Sequence, residues 1–249
     1  YGVYTPPGWQ PGERLPMILF LHGGGDDHAA FERYGAHRYF DEQINAGNMP
    51  RVILVTPDGG LSFWEDWADG SRLVRSTVLD SVIPSVQAEY GTLPCPEHFH
   101  LLGMSMGGQG VLRMAHLHSD RFSSVSALST PLIVREGNEK PPLPWFVELF
   151  VPIDRIFGEP FRDSFDEQDP FYAWVNNPDT QRVRLQLMWG TDESERILLP
   201  NRKLHRHLAS NGVVHDALEY SGGHKWVYWI PNFGRAVNFL LQDPASESG

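Results

Sequence analysis

The residues best suited to chemistry begin with a serine set among glycines, Gly103-Met104-Ser105-Met106-Gly107. An apolar run precedes this segment and a helical pattern follows it, which predicts a sharp strand-to-helix turn with Ser105 at its tip. Small neighbours are needed because such a turn brings two backbones close together. The segment therefore predicts a nucleophilic serine at a helix amino terminus, where developing negative charge is favoured. The alternative is a glycine-rich turn whose serine caps the helix.

A nucleophilic serine needs a base that takes its proton and a third group that orients the base. Gly190-Thr191-Asp192 follows one apolar strand-like run, and Gly222-Gly223-His224 follows another. The carboxyl ends of parallel strands share one edge of a sheet. We therefore expect Ser105, Asp192 and His224 to meet at that edge, with His224 as the base and Asp192 as its orienting acid.

The identity of the acid is the open part of this arrangement. The chain order serine, aspartate, histidine is the order found in α/β-hydrolases, which favours Asp192. Asp192 could instead cap the helix that follows it. In that case Glu193 or Glu195, close behind it in the sequence, would supply the carboxylate.

A glycine loop predicts the remaining part of an acyl-transfer site. His22-Gly23-Gly24-Gly25 follows a short apolar run that ends at Leu21. Two preorganised backbone N–H groups stabilise the oxyanion that forms when a serine attacks a carbonyl carbon. We predict that these N–H groups belong to Gly24 and Met106. The alternative, a phosphate-binding loop, is disfavoured because the segment lacks the lysine and the spacing of a P-loop.

The elements that must position these residues alternate between strand and helix along the chain. Strand-like apolar runs occur at 17–21, 52–55, 100–102, 124–128, 185–189 and 217–220. Helical patterns occur at 74–86, where Pro84 interrupts the spacing, and at 105–117, 198–208 and 233–241. This alternation predicts one α/β domain over 1–249, with a mostly parallel central sheet flanked by helices.

Two stretches do not follow this alternation of strand and helix patterns. Residues 131–175 show no strand pattern but many prolines and aromatic residues, which predicts a cap over the carboxyl ends of the strands. The last residues, 242–249, are small and polar and predict a frayed tail or the start of a linker. The aromatic content also predicts a pocket for a ring or a sugar ester, with Trp64, Trp67 and Trp226 as substrate contacts. Core packing is the alternative for Trp64 and Trp67.

Composition narrows the class of partner. The 249 residues include 20 Lys and Arg against 31 Asp and Glu, a formal charge of −11, which disfavours binding to nucleic acid or to an anionic membrane surface. No apolar run reaches the roughly 20 residues of a spanning helix. A single cysteine, Cys95, cannot form an internal disulfide. We expect a small-molecule substrate, neither metal nor organic cofactor, and an amino terminus that was processed or trimmed, since the chain opens at Tyr1. Composition leaves a cytoplasmic and an exported location equally open.

Taken together, the motifs resemble those of the esterase D-like branch of the α/β-hydrolase superfamily, which includes S-formylglutathione hydrolases, feruloyl and acetyl-xylan esterases and mycolyltransferases. The resemblance runs over about 4–241. It rests on Tyr4-Thr5-Pro6-Pro7-Gly8, Leu21-His22-Gly23-Gly24-Gly25, Pro57-Asp58-Gly59, the serine motif with Gly108, Gly190-Thr191-Asp192 and Gly223-His224-Lys225-Trp226. It implies an α/β-hydrolase fold, a triad of Ser105, Asp192 and His224, and an oxyanion hole at Gly24 and Met106.

Two differences between this chain and members of the branch narrow the range of activities that we expect. S-formylglutathione hydrolases carry a cysteine just after the oxyanion turn and a histidine in the nucleophile helix, where this chain has Gly25-Asp26-Asp27 and Gln109. We therefore predict a serine carboxylesterase that acts through an acyl-enzyme on small acyl, aryl or carbohydrate-linked esters of the feruloyl or acetyl type. The alternatives are an acyltransferase with the same triad, a glutathione thioesterase, and a non-catalytic binding module on the same fold.

Overall fold

The computed structural model describes residues 1–132, 151–158 and 169–242. Its strands are β1 (Gly2–Tyr4), β2 (Met17–Leu21), β3 (Ile53–Thr56), β4 (Phe99–Met104), β5 (Ser124–Leu128), β6 (Arg184–Gly190) and β7 (Asp216–Tyr220). They form one sheet in the order β1-β3-β2-β4-β5-β6-β7. Only β1 runs antiparallel to its neighbour, and every other pair is parallel. The prediction of a mostly parallel sheet is confirmed.

Helices cover both faces of this sheet. The main ones are α1 (Ala30–Arg33), α2 (Ala36–Asn45), α3 (Val74–Thr77), α4 (Ile83–Tyr90), α5 (Met106–Leu117), α6 (Ile153–Phe157), α7 (Pro170–Asn176), α8 (Glu195–Ser210) and α9 (Trp226–Leu241). A π-helical segment, Val78–Val82, joins α3 to α4, and a 3₁₀ turn, Thr180–Arg182, precedes β6. In the part of the chain that is described, no helix combines the length and apolar character needed to cross a membrane.

The central strands are apolar throughout because both of their faces are covered. Along β2, Met17, Leu19 and Leu21 join one hydrophobic core, while Ile18 and Phe20 join a second core on the opposite face. Successive side chains of a strand point to opposite faces, so a strand buried on both sides reads as a continuous apolar run. This is why the sequence pattern located the parallel strands within a few residues.

Prolines explain where the predicted and observed helices differ. Pro84 interrupts the predicted pattern, and the wide π turn lies directly before it, which accommodates a ring that would clash with the preceding turn of a regular helix. Prediction began the last helix at 233, after Pro231, but α9 begins at Trp226 and continues through that proline. Burial of its apolar face, including Trp226 and Trp229, offsets the backbone hydrogen bond that Pro231 cannot make. Helices α1 and α2 were not predicted.

Only part of the segment predicted to form a cap lies among the described residues. Helix α6 packs on the loop after β3, where the Ala68 N–H donates to the Ile156 carbonyl oxygen at 3.1 Å and the rings of Phe63 and Phe157 lie 5.7 Å apart. Residues 133–150 and 159–168 of that predicted cap lie outside the described residues, as does the tail from 243 onward.

The strand register determines where the loops that carry the site residues begin along the edge of the sheet. Leu21 of β2 pairs with Gly103 of β4, Met104 pairs with Leu128 of β5, and Gly190 of β6 pairs with Tyr220 of β7. The loops that follow these strands therefore begin at a common edge, the carboxyl edge of the sheet, where ligands bind in open α/β sheets.

Candidate active site

Ser105 lies at a strained turn between β4 and α5. Its backbone has φ 53° and ψ −125°, a combination that L-residues rarely adopt. The turn is possible because its neighbours lack side chains. A Cβ atom on Gly103 would lie 2.2 Å from the Gly107 carbonyl oxygen, and one on Gly107 would lie 1.9 Å from the Leu21 carbonyl oxygen. The predicted need for small residues around the serine is thus a matter of backbone contact.

The imidazole of His224 lies between Ser105 and a carboxylate. His224 Nε2 is 2.8 Å from Ser105 Oγ, and His224 Nδ1 is 3.0 Å from Glu193 Oε2. An ionised carboxylate can only accept hydrogen bonds, so Nδ1 carries the ring proton and Nε2 is left to accept the serine proton. The side chain of Glu193 is fully buried, whereas that of His224 is 35% exposed. The arrangement is one that can deprotonate a serine hydroxyl.

The predicted acid, Asp192, does not occupy this position. Asp192 is exposed, its backbone N–H donates to the Gly222 carbonyl oxygen at 2.8 Å, and its carboxylate accepts from the Thr191 hydroxyl at 3.2 Å. The carboxylate on His224 belongs to the next residue, Glu193, which the sequence had left as an alternative. Side chains of adjacent loop residues point in different directions, and the motif does not encode which of them turns inward. Glu195, the other alternative, begins α8.

Backbone contacts hold the loop that carries the acid against the loop that carries the base. The Thr191 N–H donates to the Tyr220 carbonyl oxygen at 2.8 Å, beside the bond from Asp192 to Gly222. A Cβ atom on Gly190 would lie 2.1 Å from the Gly222 carbonyl oxygen, so glycine at position 190 lets the two loops touch. This contact fixes the distance between the backbones from which Glu193 and His224 project.

The glycine loop after β2 lies directly against the nucleophile turn. A Cβ atom on Gly23 would lie 3.2 Å from the Cβ of Ser105. A Cβ atom on Gly24 would lie 4.0 Å from the Cβ of Met106 and 3.5 Å from a methyl group of Leu61. The structure thus brings together the two residues, Gly24 and Met106, from which the sequence predicts an oxyanion hole.

His22 anchors this glycine loop from within the core. Its Nδ1 donates to the Gly23 carbonyl oxygen at 2.8 Å, and its Nε2 accepts from the Gly59 N–H at 3.2 Å. Nε2 can accept only in the neutral ring, and burial lowers the pKa of His22, which keeps it neutral. The Trp64 indole N–H donates to the His22 carbonyl oxygen at 3.2 Å. His22 therefore ties the loops after β2 and β3 together without taking part in proton transfer.

The tryptophans predicted to contact substrate are largely or completely buried. The side chain of Trp64 is completely buried, so its prediction was wrong and core packing is its role. Trp67 is 8% exposed, and the guanidinium groups of Arg72 and Arg155 lie 5.2 and 4.9 Å from the centroid of its ring. These cation–π contacts hold the ring in place.

Trp226 is also held by other side chains. It is 8% exposed and stacks on Tyr34, with ring centroids 4.7 Å apart. Its indole N–H donates to Asp26 Oδ2 at 3.1 Å. Trp226 therefore links the start of α9 to the glycine loop, and the contact of its ring with substrate stays a prediction.

A model of the Esterase family, described as "Putative esterase", matches residues 1–240. The Esterase Rv1288 of Mycobacterium tuberculosis is 24% identical over 260 residues, covering 87% of this chain and 53% of the relative. The chain thus spans about half the length of that relative.

Solved structures share the architecture. The fluorophosphonate-binding serine hydrolase F of Staphylococcus aureus matches with a TM-score of 0.75 and 21% identity, covering 95% of this chain and 87% of that one. A ferulic acid esterase matches with a TM-score of 0.73 and 22% identity, covering 92% and 86%. These matches confirm the predicted α/β-hydrolase fold.

Proposed function

The chain belongs to the Esterase family, and on that premise we propose that it is a serine carboxylesterase with Ser105 as nucleophile, His224 as base and Glu193 as orienting acid. One observation carries the proposal. A continuous line of hydrogen bonds runs from Ser105 Oγ through both ring nitrogens of His224 to the buried carboxylate of Glu193. This is the geometry of nucleophile, base and orienter on which serine acyl transfer depends.

The reaction proceeds in two displacements. Ser105 Oγ attacks the ester carbonyl carbon while His224 Nε2 takes the hydroxyl proton, and the carbonyl oxygen becomes an oxyanion. As that intermediate collapses, the bond to the alcohol breaks and the alcohol leaves with the proton from His224. Water then attacks the acyl-enzyme with His224 again as base, and the acid leaves as Ser105 regains its proton.

The oxyanion and the imidazolium each have a stabilising partner. The backbone N–H groups of Gly24 and Met106 are the proposed donors to the oxyanion, next to the amino terminus of α5. Glu193 holds the proton on Nδ1 of His224 and stabilises the charged ring that forms when Nε2 is protonated. Its burial strengthens this effect because a charge in a low-dielectric surrounding interacts more strongly with its partner.

We propose that the site takes an acyl or aryl group of modest size. Leu61 is 37% exposed and lies against Gly24, and Tyr228 is 39% exposed and packs on Gly222, two residues before His224. These side chains present apolar surface beside the proposed oxyanion loop and the base loop. A ferulic acid esterase shares the fold, so we propose aryl or short acyl esters, including carbohydrate-linked ones, as substrates.

A burst-phase assay tests the proposal. An aryl acetate and an aryl ferulate are mixed with wild-type protein and with Ser105→Ala, and release of the aryl alcohol is followed from the first milliseconds. We expect a burst equal to the enzyme concentration in the wild type and none in Ser105→Ala. The faster ester identifies the preferred acyl group. A burst that persists in Ser105→Ala would refute the nucleophile, and no turnover of either ester would refute the proposed substrate class.

The matched control is Ser126→Ala. Ser126 is as deeply buried as any residue of β5, and its hydroxyl donates to Gln186 Oε1 at 2.7 Å, away from the site. It should retain the burst, which shows that the loss in Ser105→Ala does not follow from removing a buried hydroxyl in general. Adding an acceptor alcohol to the same assay measures how much acyl group is transferred to alcohol instead of water.

A further inference from the structure

A group of three buried side chains lies behind the imidazole of His224 and has no part in the reaction as described. Ser129 follows the end of β5, Tyr220 is the last residue of β7, and Trp229 belongs to the first turns of α9. Their exposed fractions are 0%, 5% and 5%. Three separate elements therefore converge at one point under the carboxyl edge of the sheet.

Trp229 forms the contact with His224. The two ring centroids lie 4.8 Å apart and the ring planes are nearly perpendicular, at 85°. Hydrogen bonds to Ser105 and Glu193 act at the two nitrogens of the imidazole and leave it free to tilt about the line between them. A perpendicular indole against the ring opposes that tilt, because edge-to-face aromatic contacts have a preferred geometry.

Ser129 holds Trp229 in place. The indole N–H of Trp229 donates to Ser129 Oγ at 2.9 Å, and the same oxygen lies 2.8 Å from the Tyr220 hydroxyl. An indole N–H is a donor only, whereas a serine hydroxyl can accept it and still bond to the tyrosine. Burial raises the pKa of Tyr220 to about 12, so its hydroxyl stays protonated and able to join this arrangement at any ordinary pH.

The backbone of Ser129 adds an independent observation. Its φ is 49°, a left-handed value that non-glycine residues rarely adopt, and its N–H donates to the Met188 carbonyl oxygen at 2.7 Å. Strained residues persist where their surroundings fix them, and they concentrate at functional sites. Glycine would adopt this conformation without strain, but glycine has no hydroxyl to offer Trp229 and Tyr220.

We propose that Ser129, Tyr220 and Trp229 are positioning residues that fix the plane of the His224 imidazole between Ser105 and Glu193. The inference rests on the proposed function, because it assigns these residues to the reaction of that site. They touch neither substrate nor reacting atoms and act through His224. Small displacements of a catalytic group lower the rate of the chemical step more than they weaken substrate binding.

The test compares two substitutions of one residue. Ser129→Ala and Ser129→Gly both remove the hydroxyl, but only glycine relieves the positive φ. We expect both variants to lose about 10-fold to 100-fold in kcat with little change in KM, while Ser129→Gly unfolds at a higher temperature than Ser129→Ala. Full recovery of kcat in Ser129→Gly would attribute the loss to strain and overturn the proposal, and so would wild-type kcat in both variants.

Two further variants sharpen the assignment. Trp229→Phe keeps an aromatic ring against His224 but loses the N–H, and Tyr220→Phe loses only the hydroxyl. If the three side chains act as one unit, the double variant Ser129→Ala/Trp229→Phe should lose no more kcat than the worse single variant. Independent, multiplying losses would contradict a shared role. Ser126 is a buried serine of β5 that is bonded to Gln186, and Ser126→Ala should keep kcat within about twofold.

Labelling with a covalent probe tests the positioning role and the proposed function separately. An aryl fluorophosphonate reacts with an activated serine whatever the natural ester is, and intact mass spectrometry gives the rate of labelling. Labelling of wild type that disappears in Ser105→Ala, and slows in Ser129→Ala by the same factor as kcat, supports both proposals. Wild-type labelling rates in Ser129→Ala would overturn the positioning role alone. No labelling of the wild-type protein at Ser105 would overturn both.

Discussion

The site has two halves that place their functional atoms differently. In the nucleophile half, formed by the glycine loop 22–25 and the turn 103–108, the reacting atoms are the hydroxyl of Ser105, one bond from its Cβ, and the proposed backbone donors. In the acid–base half, formed by the loops 190–193 and 220–224, they are the ends of the longer side chains of Glu193 and His224. Close glycine contacts fix the backbone in both halves, at Gly107 and at Gly190.

This difference determines which parts of the site geometry a sequence motif can predict. Where function lies on the backbone or one bond beyond it, the spacing of small residues already determines the geometry. Where function lies at the end of a side chain, neighbouring side chains must also choose a rotamer, and that choice depends on packing from distant parts of the chain. The indole of Trp229 packs against His224, and it is held by the hydroxyl of Ser129, which lies 100 positions earlier in the chain and is such a distant contribution.

The largest expected effect comes from removing the nucleophile together with its strain. Ser105→Gly should lose at least about 10⁴-fold in kcat/KM, since nothing else can form the acyl-enzyme. It should also be more stable than wild type by about 1 kcal/mol, because glycine tolerates the φ of 53° at this turn. Ester hydrolysis and thermal unfolding measure the two effects.

Ser105→Ala is the matched control for that change. It should lose the same activity without the gain in stability, since alanine is as strained as serine at this φ. Substantial hydrolysis by either variant would contradict the nucleophile, and an unfolding temperature of Ser105→Gly below that of Ser105→Ala would contradict the strain.

The next effect distinguishes two adjacent carboxylates. Glu193→Gln should lower kcat by about 10³-fold to 10⁴-fold, because an amide can donate to Nδ1 and favour the ring tautomer that cannot accept the serine proton. Asp192→Asn should change activity by about twofold at most, as expected for an exposed residue away from the reacting groups. Steady-state kinetics of both variants, with unfolding curves to verify folding, provide the measurement. The reverse order of losses would restore Asp192 as the acid.

The sequence patterns predicted the residues of the nucleophile half, but only His224 of the hydrogen-bonded pair in the acid–base half. The parallel strands were found because their runs are apolar on both faces, and the turn at Ser105 because strand, glycines and helix follow one another. His224 was predicted because it directly follows the end of a strand-like run. The structure places the carboxylate of Glu193, and not that of Asp192, against His224, because both residues follow the same strand end and only the directions of their side chains differ.

The tryptophans show a second limit of the sequence. An aromatic ring that fills a core and one that lines a pocket have the same composition and much the same spacing. Trp64 is buried because Gly59 and Gly110 leave room for its indole, and Gly110, in α5, lies far from Trp64 in the chain. Trp67 is enclosed by Arg72 and Arg155, of which the second comes from α6. No local pattern contains such information.

A third prediction tests whether glycine contacts fix both halves equally. Gly107→Ala would place a Cβ atom 1.9 Å from a backbone oxygen of Leu21, and Gly190→Ala one 2.1 Å from that of Gly222. Neither backbone can yield cheaply, so each variant should lose about 3 kcal/mol or more of stability. Urea unfolding measures the loss.

Gly24→Ala is the control for these two variants. Its added methyl group would lie 3.5 Å from a Leu61 methyl group and 4.0 Å from Met106, which are ordinary van der Waals contacts, so its stability should stay within about 1 kcal/mol of wild type. If Gly190→Ala were as stable as Gly24→Ala, the acid–base half would be more adaptable than its contacts suggest.

The smallest effect concerns the two histidines, one in each half. In the proposed reaction His224 gains and loses a proton, whereas His22 is locked in its neutral form by the Gly59 N–H and by burial, which lowers its pKa. In the unfolded chain His22 titrates with its ordinary pKa, about 6.5. Below that pH the unfolded state binds more protons than the folded state, so stability falls as the pH falls and is fully retained above it.

His22→Gln should weaken this pH dependence, because the glutamine oxygen can accept from the Gly59 N–H but cannot titrate. We expect the free energy of unfolding of the variant to fall less steeply below pH 6.5, by at most about 1.4 kcal/mol per pH unit relative to wild type. His100, whose burial and neighbours lower its pKa to about 3, contributes equally to both proteins, so the difference between their curves isolates His22. His28→Gln is the control, since its side chain is 47% exposed. If both variants changed the slope alike, His22 would not be locked in its neutral form.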